Sequence, residues 1–198
     1  MPEFQHSCFI SYKHPPVQDK LKADKHFWME FVTAFQEKLE NYLTVGLSTY
    51  RDEDLRARPG ASYPAELAVN LCRSICMIAI LMPEYMESPW CRAEWQGMEE
   101  LEEQREPGAK GAIIPVLFRG DPERAKAFAG TRVIVDFSHV DKPRTDLNTK
   151  NSRRMMEMIA HQVADLARLH SPTDCGAFVI NVGQDVAEPR FDDPSPLV

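Results

Sequence analysis

Nothing in this chain of 198 residues approaches the roughly 20 consecutive apolar residues that a membrane-spanning helix requires. Basic charge is also short: 23 Lys and Arg against 30 Asp and Glu leave a formal charge of −7. That balance opposes the attraction that nucleic acid or an anionic membrane exerts on a basic surface, so neither is an expected partner. The acidic, proline-containing start Met1-Pro2-Glu3 is no signal peptide, and a cytoplasmic location is expected. The cysteines, Cys8, Cys72, Cys76, Cys91 and Cys175, are odd in number and lack C-x-x-C spacing, so a disulfide scaffold is not expected. Cys72 and Cys76 straddle a helix end and a strand start and read as buried small hydrophobes. No H-E-x-x-H occurs and no histidine has a partner at metal-ligand spacing, so no metal is expected.

What is present alternates between strand and helix. With 43% hydrophobic residues the chain can bury one sizeable core, and no internal repeat divides it. Ser7 to Tyr12 reads as a first strand, and Phe27, Phe31, Phe35 and Leu39 then recur every four residues in a helix spanning His26 to Leu43. Gly46 to Tyr50 reads as a second strand, followed by the charged run Arg51 to Asp54 and the turn signal Arg58-Pro59-Gly60. After a helix over Ser62 to Cys72, the continuous apolar run Ile75 to Met82 is the signature of a strand covered on both faces. A helix from Pro89 to about Glu106, a strand over Ala112 to Phe118 and a short helix over Asp121 to Phe128 follow. Arg132 to Asp136 is a fifth strand, and Met155, Ile159, Val163 and Leu166 mark a last helix from Asn151 to His170. Five alternating strands indicate a parallel α/β sheet with right-handed crossovers. Residues 171 to 198 are acidic and proline-rich and read as a tail or linker, although Ala177 to Val182 can add an edge strand or dock on the body.

Ser88 can cap a helix whose first residue is Pro89, which places Trp90 and Glu94 one above the other near the helix N-terminus. The positive end of the helix dipole favours an ionised carboxylate there; the plain alternative is a core tryptophan beside a solvated glutamate. Other nucleotide chemistries lack their motifs. Tyr12-Lys13-His14-Pro15-Pro16 offers no glycine-rich turn for a Rossmann or P-loop site, and no acidic cluster for a phospho-acceptor. Asp52, Glu53 and Asp54 lack a spaced fourth ligand for a divalent ion.

Three short segments, in order, resemble the Toll/interleukin-1 receptor (TIR) domain family: Phe9-Ile10-Ser11-Tyr12, then Tyr50 to Leu55 with Arg58-Pro59-Gly60, then Trp90-Cys91-Arg92-Ala93-Glu94. The resemblance covers about residues 6 to 170, giving a TIR domain over 1–170 and a C-terminal tail or linker over 171–198. It implies a flavodoxin-like, doubly wound five-stranded parallel sheet of order 2-1-3-4-5. Ligands of such sheets bind beyond the strand C-termini where the order reverses, here between strands one and three. Strand one ends at Lys13-His14 and strand three leads to the helix of Trp90 and Glu94, so motif and crevice coincide.

The resemblance further implies an NAD+ hydrolase or cyclase, a defence or signalling effector in which NAD+ is substrate and no cofactor is needed. Glu94 would be its catalytic carboxylate, with Phe9, Ser11, Tyr12, Lys13, His14, Arg51 and Trp90 around the substrate. Arg51 reads equally as a solvated loop charge. Self-association through TIR–TIR contacts would use Asp54, Leu55, Arg58, Pro59 and Gly60, and the tail can lead to a further domain or an activating partner. The alternative within the family is a non-enzymatic adaptor in which the same loop recruits a like domain and Glu94 is incidental.

Overall fold

The apolar run near the middle of the chain becomes the spine of the sheet. The computed structural model describes residues 3–14, 23–51, 63–106 and 111–183, with side chains from residue 27 in the second stretch. In it, strand β3 (Ser74–Leu81) is buried along its whole length, as a strand covered on both faces must be. β1 (His6–Ser11) and β4 (Ile113–Leu117) flank it in parallel, Ser11 opposite Ala79 and Leu117 opposite Leu81. β2 (Thr49–Tyr50) and β5 (Val135–Asp136) form short edges and complete the order β2-β1-β3-β4-β5. This is the doubly wound flavodoxin-like sheet expected from the sequence.

Crossover handedness then assigns the helices to faces. The chain steps outward from β1 to β2 through α1 (Ala23–Glu40), and the later crossovers run the opposite way. They place α2 (Tyr63–Cys72), the single turn α3 (Pro83–Glu87), α4 (Pro89–Arg105) and α5 (Pro122–Ala129) on the other face, where α2 packs on α4. A second single turn, α6 (Pro143–Asp146), and α7 (Lys150–Leu169) return to the face of α1. The aromatic stripe of α1 is core: Phe31, Phe35 and Leu39 are fully buried, Phe31 stacks on Phe118 and Phe35 meets Phe137 edge-on.

The differences from the sequence reading have local causes. α3 and α6 each start at a proline and are too short to show a 3.6-residue period. The second strand begins at Thr49 because Gly46, with φ of +71°, turns the chain just before it. The fifth begins at Val135 because Val133 is 82% exposed and Arg132 is engaged by Glu99 and Glu102. Cys72 requires a correction. It is not a core thiol: it forms a disulfide with Cys175, 103 residues later, whereas Cys8, Cys76 and Cys91 are buried thiols outside that bond. Spacing could not reveal the pair, since only the returning chain after α7 brings Cys175 to the end of α2. Residues 171–183 make no strand; they lie on the α2–α4 face, where Phe178 and Ile180 pack against Gly97.

One buried carboxylate joins α4 to the start of β4 and to the chain before β5. Glu102 Oε1 accepts from the backbone N–H of Gly111 (2.7 Å), Ala112 (2.6 Å) and Ile113 (3.3 Å), and Oε2 accepts from Arg132. Arg132 also lies over the Trp95 ring at 5.3 Å. Glu102→Ala leaves the amides without that acceptor and the largely buried Arg132 guanidinium with only the half-exposed Glu99 as its partner. Urea melts should show a loss of about 3–5 kcal/mol, whereas a loss under about 1 kcal/mol would mean the pair behaves like a surface bridge.

Candidate functional site

The crevice forms where β1 and β3 release their chains in opposite directions. Leu81 ends β3, and α3 turns the chain toward Ser88, whose Oγ accepts from Cys91 N–H at 3.4 Å and so caps α4. Pro89 takes the first helical position, and Arg92 Nε donates to the Met86 carbonyl at 2.7 Å, fixing the α3–α4 corner. Trp90 and Glu94 therefore project from one face of the first α4 turns toward the end of β1.

Glu94 is only 4% exposed, so its carboxylate needs donors. Its Oε2 accepts from Ser11 Oγ, and Ser11 Oγ lies 2.8 Å from Tyr85 Oη. Burial pushes the Tyr85 phenol well above its ordinary pKa of 10.0; the charges of Cys91 and Glu94 add to the rise and the Ser11 hydrogen bond opposes it. Tyr85 thus keeps its proton. Because the single Ser11 hydroxyl proton is given to Glu94, the Tyr85 O–H donates to Ser11. The two hydroxyls hold one carboxylate oxygen in place from β1 and α3.

Around this carboxylate lie Tyr12, Lys13, His14, Tyr63, Ser88, Trp90 and Cys91. The Tyr12 and His14 rings are 4.6 Å apart, and Tyr63 from α2 meets Trp90 edge-on at 5.0 Å. The cleft between them has a volume of about 20 Å³, space for a water and not for a nicotinamide ring.

Of the residues singled out from sequence, Ser11, Tyr12, Lys13, His14, Trp90 and Glu94 converge here. Phe9 and Arg51 do not. Phe9 is 1% exposed in the core with its ring 5.5 Å from Tyr50, and Arg51 Nη1 donates to Thr33 Oγ1 of α1 at 3.3 Å. Asp54, Leu55, Arg58, Pro59 and Gly60 lie outside the described residues. Tyr85 and Tyr63 were missed. Tyr85 sits on a single-turn helix with no periodic signal, and Tyr63 begins a helix whose direction only the fold supplies. Among the described residues no three His, Cys, Asp or Glu are grouped to hold a metal, and no helix is long and apolar enough to cross a membrane.

A family profile described as TIR domain matches residues 8–149. The Toll/interleukin-1 receptor domain-containing adapter protein of Homo sapiens is 36% identical over 61 residues, which are 31% of this chain and 26% of the adapter. The chain therefore matches about a quarter of that relative's length. Among solved structures, the TIR domains in the structure of the activated Roq1 resistosome directly recognizing the pathogen effector XopQ align with a TM-score of 0.40 at 19% identity. That alignment covers 78% of this chain and 82% of the other.

The hydroxyl pair predicts a pH effect on stability. Tyr85 ionises less readily in the folded chain than in the unfolded one, so its contribution is complete below pH 10 and is lost as pH rises above it. Wild-type stability should fall more steeply above pH 10 than that of Tyr85→Phe, by up to about 1.4 kcal/mol per pH unit. Parallel denaturant midpoints for the two proteins between pH 9 and 11 would refute the buried neutral phenol.

Proposed function

The chain belongs to the TIR domain family, and on that premise we propose that it cleaves the bond between nicotinamide and ribose in NAD+, with Glu94 as the catalytic carboxylate. The observation that carries this reading is the placement of Glu94: buried, tethered through one oxygen by Ser11, and set at the crevice where the strand order reverses. As the C–N bond breaks, nicotinamide leaves with the bonding electron pair and positive charge builds on the ribose. A carboxylate held in a dry site stabilises that charge directly and through the ribose hydroxyls. Addition of water to the ribose carbon gives ADP-ribose, and addition of an internal nitrogen gives a cyclic isomer. Because cationic nicotinamide is already a good leaving group, no second acid is required.

Trp90 supplies an aromatic wall, and Lys13 a point charge for the phosphates. The cleft of about 20 Å³ among the described residues is smaller than a nicotinamide ring, which supports a reading in which assembly switches the enzyme on. Self-association through the segment holding Asp54, Leu55, Arg58, Pro59 and Gly60 would open or complete the cleft in a head-to-tail assembly of the kind that can propagate. The same small cleft favours a second reading, a signalling scaffold that acts only by homotypic contact; the human relative named above is called an adapter.

Nicotinamide release from NAD+ separates the two. Glu94→Gln keeps the shape and removes the charge, and should lower release by at least about a hundredfold while the fold is retained. A folded variant as active as wild type would remove Glu94 from the chemistry, and no release from wild type at any concentration would leave the scaffold reading.

Assembly has its own signature. Specific activity should rise with protein concentration across a dilution series, and Leu55→Asp should suppress both that rise and self-association without a change in melting temperature. A solvated loop residue would tolerate the change within about 0.5 kcal/mol and leave activity flat.

A further inference from the structure

The Cys72–Cys175 disulfide joins the last residue of α2 to a chain segment beyond the part matched to the family. Its two sulfurs are unequally placed. Cys72 is 1% exposed in the core, whereas Cys175 is half-buried and lines an open cleft of about 440 Å³. Glu3, Gln5, Val69, Arg73 and Asp174 complete much of that cleft, where the Arg73 guanidinium, 3.1 Å from Gln5 Oε1, offsets part of the negative charge that the carboxylates of Glu3 and Asp174 present to an approaching thiolate.

Apart from the disulfide, little holds the segment. Phe178 and Ile180 are its main apolar anchors, and the Phe178 N–H reaches only the Cys175 carbonyl, at 3.4 Å, within the same segment. No strand pairs with it. Yet α4 is shaped to receive it: a Cβ on Gly97 would stand 3.2 Å from Phe178 Cζ and 3.4 Å from Ile180 Cγ1 and Leu71 Cδ2. A mid-helix glycine costs helix stability, and here the close approach of the segment accounts for it.

We propose that Cys72–Cys175 is a thiol-exchange site at which a dithiol reductant releases residues 171–183 from the α2–α4 face. The reductant's first thiolate attacks Cys175 Sγ from the open cleft, the S–S bond breaks, and the electron pair leaves on Cys72 Sγ, which takes up a proton. The second thiol displaces Cys175 from the mixed disulfide, so the dithiol is oxidised to a disulfide and two protein thiols are formed. Arg105 Nη2, donating to the Cys72 carbonyl at 2.6 Å, brings positive charge close to the departing thiolate. Once both thiols are free, Phe178, Ile180 and the partly buried Val182 must offset the ordering of the whole segment, and the segment opens.

Release also reaches the candidate site, a consequence that rests on the proposed function. The segment bridges the end of α2 and the middle of α4, and the starts of these same helices meet at the cleft as Tyr63 against Trp90. With the bridge gone, α2 is free to shift from α4 and widen the cleft.

The wild-type protein, purified in air and treated with dithiothreitol under native conditions, tests this directly. Alkylation and mass spectrometry should find Cys72 and Cys175 modified ahead of Cys8, Cys76 and Cys91. Amide exchange over residues 177–182 should accelerate at least about tenfold on reduction. Cys175→Ser should exchange at the fast rate with or without reductant, and Gly97→Leu should do so with the disulfide intact. A pair that stays oxidised until the protein is denatured, a pair never oxidised in air, or equal exchange in the oxidised and reduced protein would each overturn the proposal. Nicotinamide release that rises on reduction in step with exchange supports the link to the cleft. Release unchanged while the segment opens refutes that link, and release absent in both states counts against the proposed function while the exchange data still decide the thiol site.

Discussion

A carboxylate removed from water must be met by donors, and α4 buries two of them. Glu94 and Glu102 lie on the same helix, each 4% exposed, and each takes its donors from a different part of the sheet. Glu94 is met by Ser11 at the end of β1; Glu102 is met by the backbone entering β4 and by Arg132 before β5. These requirements fix where the helix sits along the strands more strictly than apolar packing does, because a slip of one residue would leave a charge without partners. Gly97 lies between the two glutamates and opens the helix surface to Phe178 and Ile180. A single helix therefore sets the spacing of β1, β4 and the C-terminal segment.

The same constraint accounts for the character of the cleft. Glu94 is bound from behind by a hydroxyl chain running to Tyr85, so the group closest to the crevice is also among the most firmly held. Its neighbours Tyr12, Lys13 and His14 belong to chain that has left the sheet. A firmly held carboxylate beside residues that follow the end of β1 is an arrangement suited to electrostatic stabilisation, where preorganisation supplies the effect. It also suits a site whose access is regulated, since volume can change while the charge stays in place.

The C-terminal segment changes how the cysteines are understood. Considered one by one, Cys8 and Cys76 behave as buried small hydrophobes, their thiols raised by burial, that of Cys8 to about 12. Cys72 would have matched them had the chain ended at α7. The approach of Cys175 turns an inert position into a redox-responsive one and joins the two helices that carry Tyr63 and Trp90.

The sequence by itself determined the alternation of elements, the buried central strand, the aromatic face of α1 and the Ser88-Pro89 start of α4. Each is a local pattern: a continuous apolar run, a four-residue recurrence, or a cap followed by proline. Its resemblance to the TIR family implied in addition that Ser11, Tyr12, Lys13, His14, Trp90 and Glu94 meet, because the strand order so implied reverses between the first and third strands and brings their ends to one crevice. Tertiary structure decided the rest. Phe9 faced the core and Arg51 turned to α1, since which way a side chain points depends on the pleat and on neighbours far along the chain. Tyr85, the pairing of Cys72 with Cys175 and the role of Gly97 all depend on contacts between residues distant in sequence. No local period or spacing encodes such contacts; they exist only once the sheet has set the helices side by side.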